Sequence, residues 1–126
     1  FFSRASQGGA GNVPEFSFIL VGWSAGTGES SDSLKALLAT FNKDKGMGAT
    51  NRGRYSNKAF DAKLEEALRT VDEKKRGALL AEAMEIGIND VGLIPTHYQL
   101  STWAARKGLK VVGRADEYTL AMSVRP

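Results

Sequence analysis

Polar and apolar residues alternate in two different periods along the chain, and the change of period marks the expected elements. Residues 16–21, Phe-Ser-Phe-Ile-Leu-Val, form a short run rich in aromatic and β-branched side chains between Pro14 and Gly22, which predicts a buried strand. Before it, Gln7 to Asn12 reads as a flexible loop ending at Pro14. After it, residues 22–31 form a loop with glycines at 22, 26 and 28. Ser30, Ser31 and Asp32 offer N-caps, and Leu34, Leu37, Leu38 and Phe41 recur at i, i+3, i+4 and i+7, predicting a helix over 32–41. A second glycine-bearing loop, 42–56, leads to Asn57 as the cap of a helix over 58–70. Its apolar stripe is Phe60, Leu64, Ala67, Leu68 and Val71, and Glu65 with Arg69 adds an i,i+4 pair worth about 0.3 kcal/mol. Asp72 caps a third helix, 73–90, striped by Leu80, Ala83, Met84, Ile88 and Val91 and stopped by Gly92 as a left-handed C-cap.

After Gly92 the period shortens. Residues 93–100 read as a strand that Pro95 confines to an edge, with 103–106 as an extension. Residues 110–112 and 118–124 are short strand candidates. The order of one strand, three helices and further strands gives a mixed α/β class. Beyond Ser101 the apolar residues are sparse, so this tail needs another surface to pack on.

Composition narrows the classes. A chain of 126 residues suffices for one domain with one modest core. Its 42% hydrophobic and 25% charged content is that of a globular protein rather than a disordered one. The longest apolar stretch, 16–23, is broken by Ser17 and Gly22 and falls far short of the ~20 residues of a membrane helix. The absence of cysteine excludes disulfides, thiolate-bound zinc, iron–sulfur clusters and thiol catalysis. A net charge of +3 commits to no polyanionic partner. The chain opens Phe1-Phe2-Ser3-Arg4, without an initiator methionine, so it is expected to be a piece of something larger, with any targeting segment upstream.

Little in the residues points to catalysis. His97 is the sole histidine, and Glu65-Glu66 and Asp116-Glu117 are adjacent pairs whose side chains point apart, so no triad, metal cage or acid–base pair assembles. A non-enzyme without metal or cofactor is expected. The loop at 22–31 connects a strand to a helix, where glycines let the backbone approach a ligand. It lacks the Gly-Lys-Ser/Thr ending of a phosphate loop, and Ser31 stands where a dinucleotide fingerprint needs glycine. A nucleotide- or phosphate-binding α/β domain using Gly26-Thr27-Gly28 remains the alternative. Trp23, set among small polar residues just after the strand, suits a wall on which a ligand stacks. Lys43, Lys45, Arg52, Arg54 and Lys58 surround Tyr55 in a basic loop. Scattered among glycines without a reader motif, they are expected to be solvated, with no nucleic-acid partner; a basic nucleic-acid-binding module using Arg52, Arg54 and Tyr55 is the third reading.

Three segments, taken in order, resemble one family. Phe18-Ile19-Leu20-Val21-Gly22-Trp23, Arg54-Tyr55-Ser56-Asn57-Lys58-Ala59-Phe60-Asp61 and Leu93-Ile94-Pro95-Thr96-His97-Tyr98 are similar to landmarks of the extracellular solute-binding proteins, family 5, of ABC importers. Residues 114–122 resemble the C-terminus of some peptide-binding members. The resemblance implies a fragment of the second lobe of a two-lobed periplasmic-binding-protein fold, with residues 1–100 in that lobe and the tail, 101–126, returning to the first. It implies binding of a peptide or other small polar solute and delivery to an ABC permease, working with the remainder of the parent chain. The location would be periplasmic, or extracellular and membrane-anchored in a bacterium lacking an outer membrane. The implied ligand-binding residues are Trp23, Ser24, Gly26, Thr27, Tyr98 and Gln99. Peptide-binding members often carry an Asp for the ligand's ammonium where this chain has Gly26, with Glu29 further on.

Overall fold

A computed structural model describes residues 16–114 and 116–126; the loop expected at 7–12 lies outside them. The chain divides into two compact units between Pro95 and Thr96. The first holds three helices, α1 (Ser30–Leu37), α2 (Lys58–Arg69) and α3 (Glu73–Asn89). The second holds β1 (Lys110–Val111), a 3₁₀ turn (Ala121–Ser123) and β2 (Val124–Arg125).

Local chemistry fixes the helix starts. The Asn57 side chain accepts from the Ala59 and Phe60 amides, and Asp72 accepts from the Lys75 amide at 2.8 Å, each satisfying donors that a first turn leaves free. Helix α1 begins differently from expectation: Glu29 occupies the cap position without a side-chain cap bond, and Asp32 lies in the first turn. It also ends earlier, at Leu37, because the following loop captures its last carbonyls. The Gly48 amide donates to Lys35 O at 2.9 Å, and the amide and hydroxyl of Thr50 both donate to Ala36 O at 3.0 Å. Asn51 is buried within this loop, its Nδ2 donating to the carbonyls of Ala39 (2.9 Å) and Tyr55 (2.7 Å) and its Oδ1 accepting from the Tyr55 amide (3.0 Å). The basic loop is therefore ordered as a cap for α1 through its backbone and Asn51, while Lys43, Lys45 and Lys58 stay exposed as expected and Arg52 and Arg54 are half-buried.

Helices α2 and α3 are joined by three residues and run antiparallel, as their ion pairs show: Glu66–Lys75 at 3.8 Å near the turn and Lys63–Glu82 at 2.7 Å farther away. Their inward faces and α1 enclose the core, in which Phe60, Leu64 and Leu38 are essentially fully buried beside Leu34, Ala67, Leu79, Leu80 and Ala83. The outer members of the expected stripes, Phe41, Leu68, Met84 and Val91, are exposed, and so is Val71.

The end of α3 departs from expectation in an instructive way. Val91 donates to Ile88 O at 3.0 Å and Gly92 to Gly87 O at 2.9 Å, the paired bonds of a Schellman ending. The left-handed residue is Val91 (φ 54°), not Gly92. Gly92 is required for packing instead: a Cβ there would sit 2.8 Å from the Tyr55 ring and 3.0 Å from Leu38. The glycine stands one position past the place where backbone conformation alone would put it, and a β-branched residue takes the strained angle.

The expected strand at 16–21 does not form. These residues have no regular structure, with Phe18 70% and Leu20 63% exposed. A strand's amides and carbonyls need a neighbouring strand, and among the described residues none pairs with this run. The strand expected at 93–100, and its extension at 103–106, are likewise irregular and mostly exposed. In the second unit, β1 pairs antiparallel with β2, Lys110 opposite Arg125 and Val111 opposite Val124. The strand expected at 118–124 thus begins only at Val124, because the 3₁₀ turn occupies the residues before it. The Trp103 indole donates to Thr119 Oγ1 at 3.1 Å in the same unit.

Candidate functional site

The loop after Trp23 is a sequence of small turns that ends on α1. Gly28, at φ 72°, donates to Ala25 O at 3.0 Å, and Thr27 Oγ1 accepts from the Glu29 amide at 3.3 Å. The Gly26 amide points to the Asp32 carboxylate at 3.4 Å. Trp23, 43% exposed, stands outside the helical core, and Ser24, Gly26 and Thr27 are exposed around the same loop. Tyr98 and Gln99 belong to the second unit and are exposed there.

The two carboxylates at this loop bear on its chemistry. Glu29 Oε2 accepts from the Ser31 hydroxyl and from Arg76 Nη2, both at 2.5 Å. The Ser31 hydrogen bond, helped by the Arg76 charge, holds the Glu29 carboxyl below the usual carboxylate range against partial desolvation. With Asp32 on the Gly26 amide, the start of α1 already faces two anions of its own, which disfavours a nucleotide phosphate at Gly26-Thr27-Gly28. Beside the turn lies a groove of about 650 Å³, bounded by residues 28–30 on one side and by Val71, Glu73, Arg76, Gly77 and Leu80 on the other.

A smaller hollow of about 180 Å³ lies between Thr40, Phe41, Lys45, Met47, Asp61 and Glu65. Its polar groups serve packing: Asp61 accepts from the Thr40 amide at 2.9 Å and from its hydroxyl, and Lys45 pairs with Glu65. In the basic loop, Arg54 lies over the Phe41 ring, 5.2 Å from its centre. Among the described residues no group of His, Asp and Glu side chains could hold a metal ion. His97 Nδ1 lies 3.0 Å from the Thr96 hydroxyl.

Sequence reasoning missed Arg76 and Asn51. Arg76 sits four residues after the Asp72 cap, but nothing in the sequence ties it to Glu29, 47 positions earlier. Asn51 looks like an ordinary loop residue until its three side-chain hydrogen bonds to Ala39 and Tyr55 are in place.

The chain is similar to two curated ligand-binding proteins. One is the heme-binding protein A of Haemophilus influenzae, 31% identical over 81 residues, which is 64% of this chain and 14% of that protein. Another is the glutathione-binding protein GsiB of Salmonella paratyphi A, 40% identical over 65 residues, 52% of this chain and 12% of that protein. The matched parts of the chain thus span about one seventh or less of the length of these relatives. No family model matches it, and neither does any solved structure. No helix among the described residues is long and apolar enough to cross a membrane.

Proposed function

We propose that this chain is part of the solute-binding component of an ABC importer, contributing one wall of a ligand cleft from the second of two lobes. The similarity to two binding proteins with different ligands carries the reading. The exposed Trp23, placed on a loop of small polar residues, supports it from the structure. The extended runs at 16–21 and 93–100 would be strands in the parent, completed by segments of the same protein. The tail from Ser101 would return to the first lobe. Ser24, Gly26 and Thr27 would supply hydrogen bonds, and Tyr98 and Gln99 would line the hinge side. The protein would work outside the cytoplasmic membrane, in the periplasm or anchored to the cell surface, without enzymatic turnover, and hand its solute to a permease. Heme and glutathione differ in shape yet both carry free carboxylates, so a carboxylate-bearing solute, peptides included, is the class to try first.

The test uses the full-length protein that contains this chain, screened by thermal shift against short peptides, glutathione, heme, sugars and ATP. Only a ligand of the folded state raises the midpoint. Trp23→Ala is expected to weaken binding by about one to two decades while leaving the fold cooperative. ATP as the only stabilising ligand would replace this reading with the nucleotide one. Unchanged affinity combined with a loss of about 3–5 kcal/mol of stability would make Trp23 a core residue instead.

A further inference from the structure

We propose that Arg76 anchors a subsite for a ligand carboxylate, a place that Glu29 fills when no ligand is present. The proposal rests on the solute-binding reading and narrows its ligand to one that presents a free carboxylate to the groove between residue 28 and α3. A guanidinium binds a carboxylate best through two parallel bonds, a fork that demands two oxygens on one plane. Glu29 does not use that fork. Its Oε2 alone meets Arg76 Nη2, and the same oxygen also accepts from Ser31. Arg76 Nε is buried and has no hydrogen-bond partner among the described residues. A buried donor left unpaired is costly, so the arrangement favours any carboxylate that can engage Nε and Nη2 together.

The surroundings fit such a group. A Cβ at Gly77 would meet nothing within 4 Å, so the helix face beside Arg76 is open. Val71, 92% exposed, offers an apolar edge for the carbon atoms next to the carboxylate. Glu73 borders the same groove and opposes a second negative charge, which favours a singly charged carboxylate over a phosphate. The contact between Glu29 and Arg76 is then an intramolecular competitor, and its removal tightens binding.

The experiment titrates the 126-residue chain with N-acetylglycine and, separately, with N-acetylglycinamide, following the side-chain Nε–H signal of Arg76 by nuclear magnetic resonance. The carboxylate is expected to shift that signal and the amide to leave it in place. Glu29→Gln should tighten the carboxylate by about tenfold, and Arg76→Lys, which keeps the charge but loses the fork, should weaken it by about as much. An unmoved Nε–H signal, equal binding of the amide, or no gain in Glu29→Gln would each overturn the proposal. Should Arg76→Lys fail to fold, the Glu29→Gln comparison decides alone. Solute binding by the full-length protein that is indifferent to both substitutions would sink this subsite and leave the importer reading standing. A titratable subsite in a protein that no solute stabilises would do the reverse.

Discussion

The helical core and the extended runs at 16–21 and 93–100 both carry large apolar side chains and meet opposite fates. Phe60 in α2 is 0% exposed, whereas Phe18 at 70% and Tyr98 at 100% lie open to water. The difference lies in the backbone. A helix satisfies its own amides and carbonyls, so three amphipathic helices linked by ordered turns can close a core within 60 residues (30–89). An extended run must borrow its hydrogen bonds from a neighbour, and the runs at 16–21 and 93–100 have none among the described residues. Hydrophobicity alone does not bury a residue; it needs an element whose polar backbone is already satisfied.

Substitutions can break the core half of this comparison while leaving the other half untouched. Phe60→Ala removes the largest fully buried side chain and should cost about 3–5 kcal/mol, read from urea unfolding followed by circular dichroism. Phe18→Ala, its exposed counterpart, should stay within about 0.5 kcal/mol. Next in size is Gly48→Ala. At φ 64° its Cβ would meet the Ala39 carbonyl oxygen and lie 2.8 Å from Phe41 Cα, so the loop that caps α1 must move. A loss of about 3 kcal/mol is expected, from backbone strain together with crowding. Near-wild-type stability in that variant would show that the loop adjusts freely and that α1 does not depend on it.

Much of the helical part was legible because its signals are local. Asn57 and Asp72 cap where their positions in the sequence place them, and Phe60, Leu64, Ala67, Leu80 and Ala83 face inward as their spacing requires. Features that depend on distant partners were not legible. The early end of α1 depends on donors from Gly48 and Thr50, and Glu29 is set by Arg76. Gly92 looks like a helix terminator but is held by Tyr55 and Leu38. The pattern at 16–21 carries no information on whether a neighbouring strand exists, and among the described residues none pairs with the run. Trp23 stands out in the sequence as an aromatic among small polar residues, and the structure leaves it 43% exposed, whereas Arg76 carried no local signal for its contact with Glu29.

A smaller effect sharpens the account of how α3 ends. Val91→Gly should stabilise by about 1 kcal/mol, since relief of the left-handed strain exceeds the entropy cost of glycine and the valine side chain is exposed. A destabilised variant would mean that Val91 packs on something that offsets its backbone. Smallest at neutral pH is the effect of the Tyr55 hydroxyl. Burial, with the Asp90 carboxylate nearby, pushes it up to about 12. The folded state thus favours the neutral phenol, and the stability present below pH 10 should decline as pH rises from about 10 to about 12. Urea midpoints across that range should fall more steeply in the native chain than in Tyr55→Phe; parallel slopes would place the hydroxyl in water.

Native-state hydrogen exchange on the dilute 126-residue chain separates helices that are self-sufficient from extended runs that have no partner strand among the described residues. Amides of residues 60–67 and 79–87 should exchange only through global unfolding, at rates that follow the urea-derived stability, while those of 16–23 and 96–106 exchange near the unprotected rate. Protection at 16–23 equal to that of α3, in a monomer, would show that the apolar run already belongs to this core and would contradict the account.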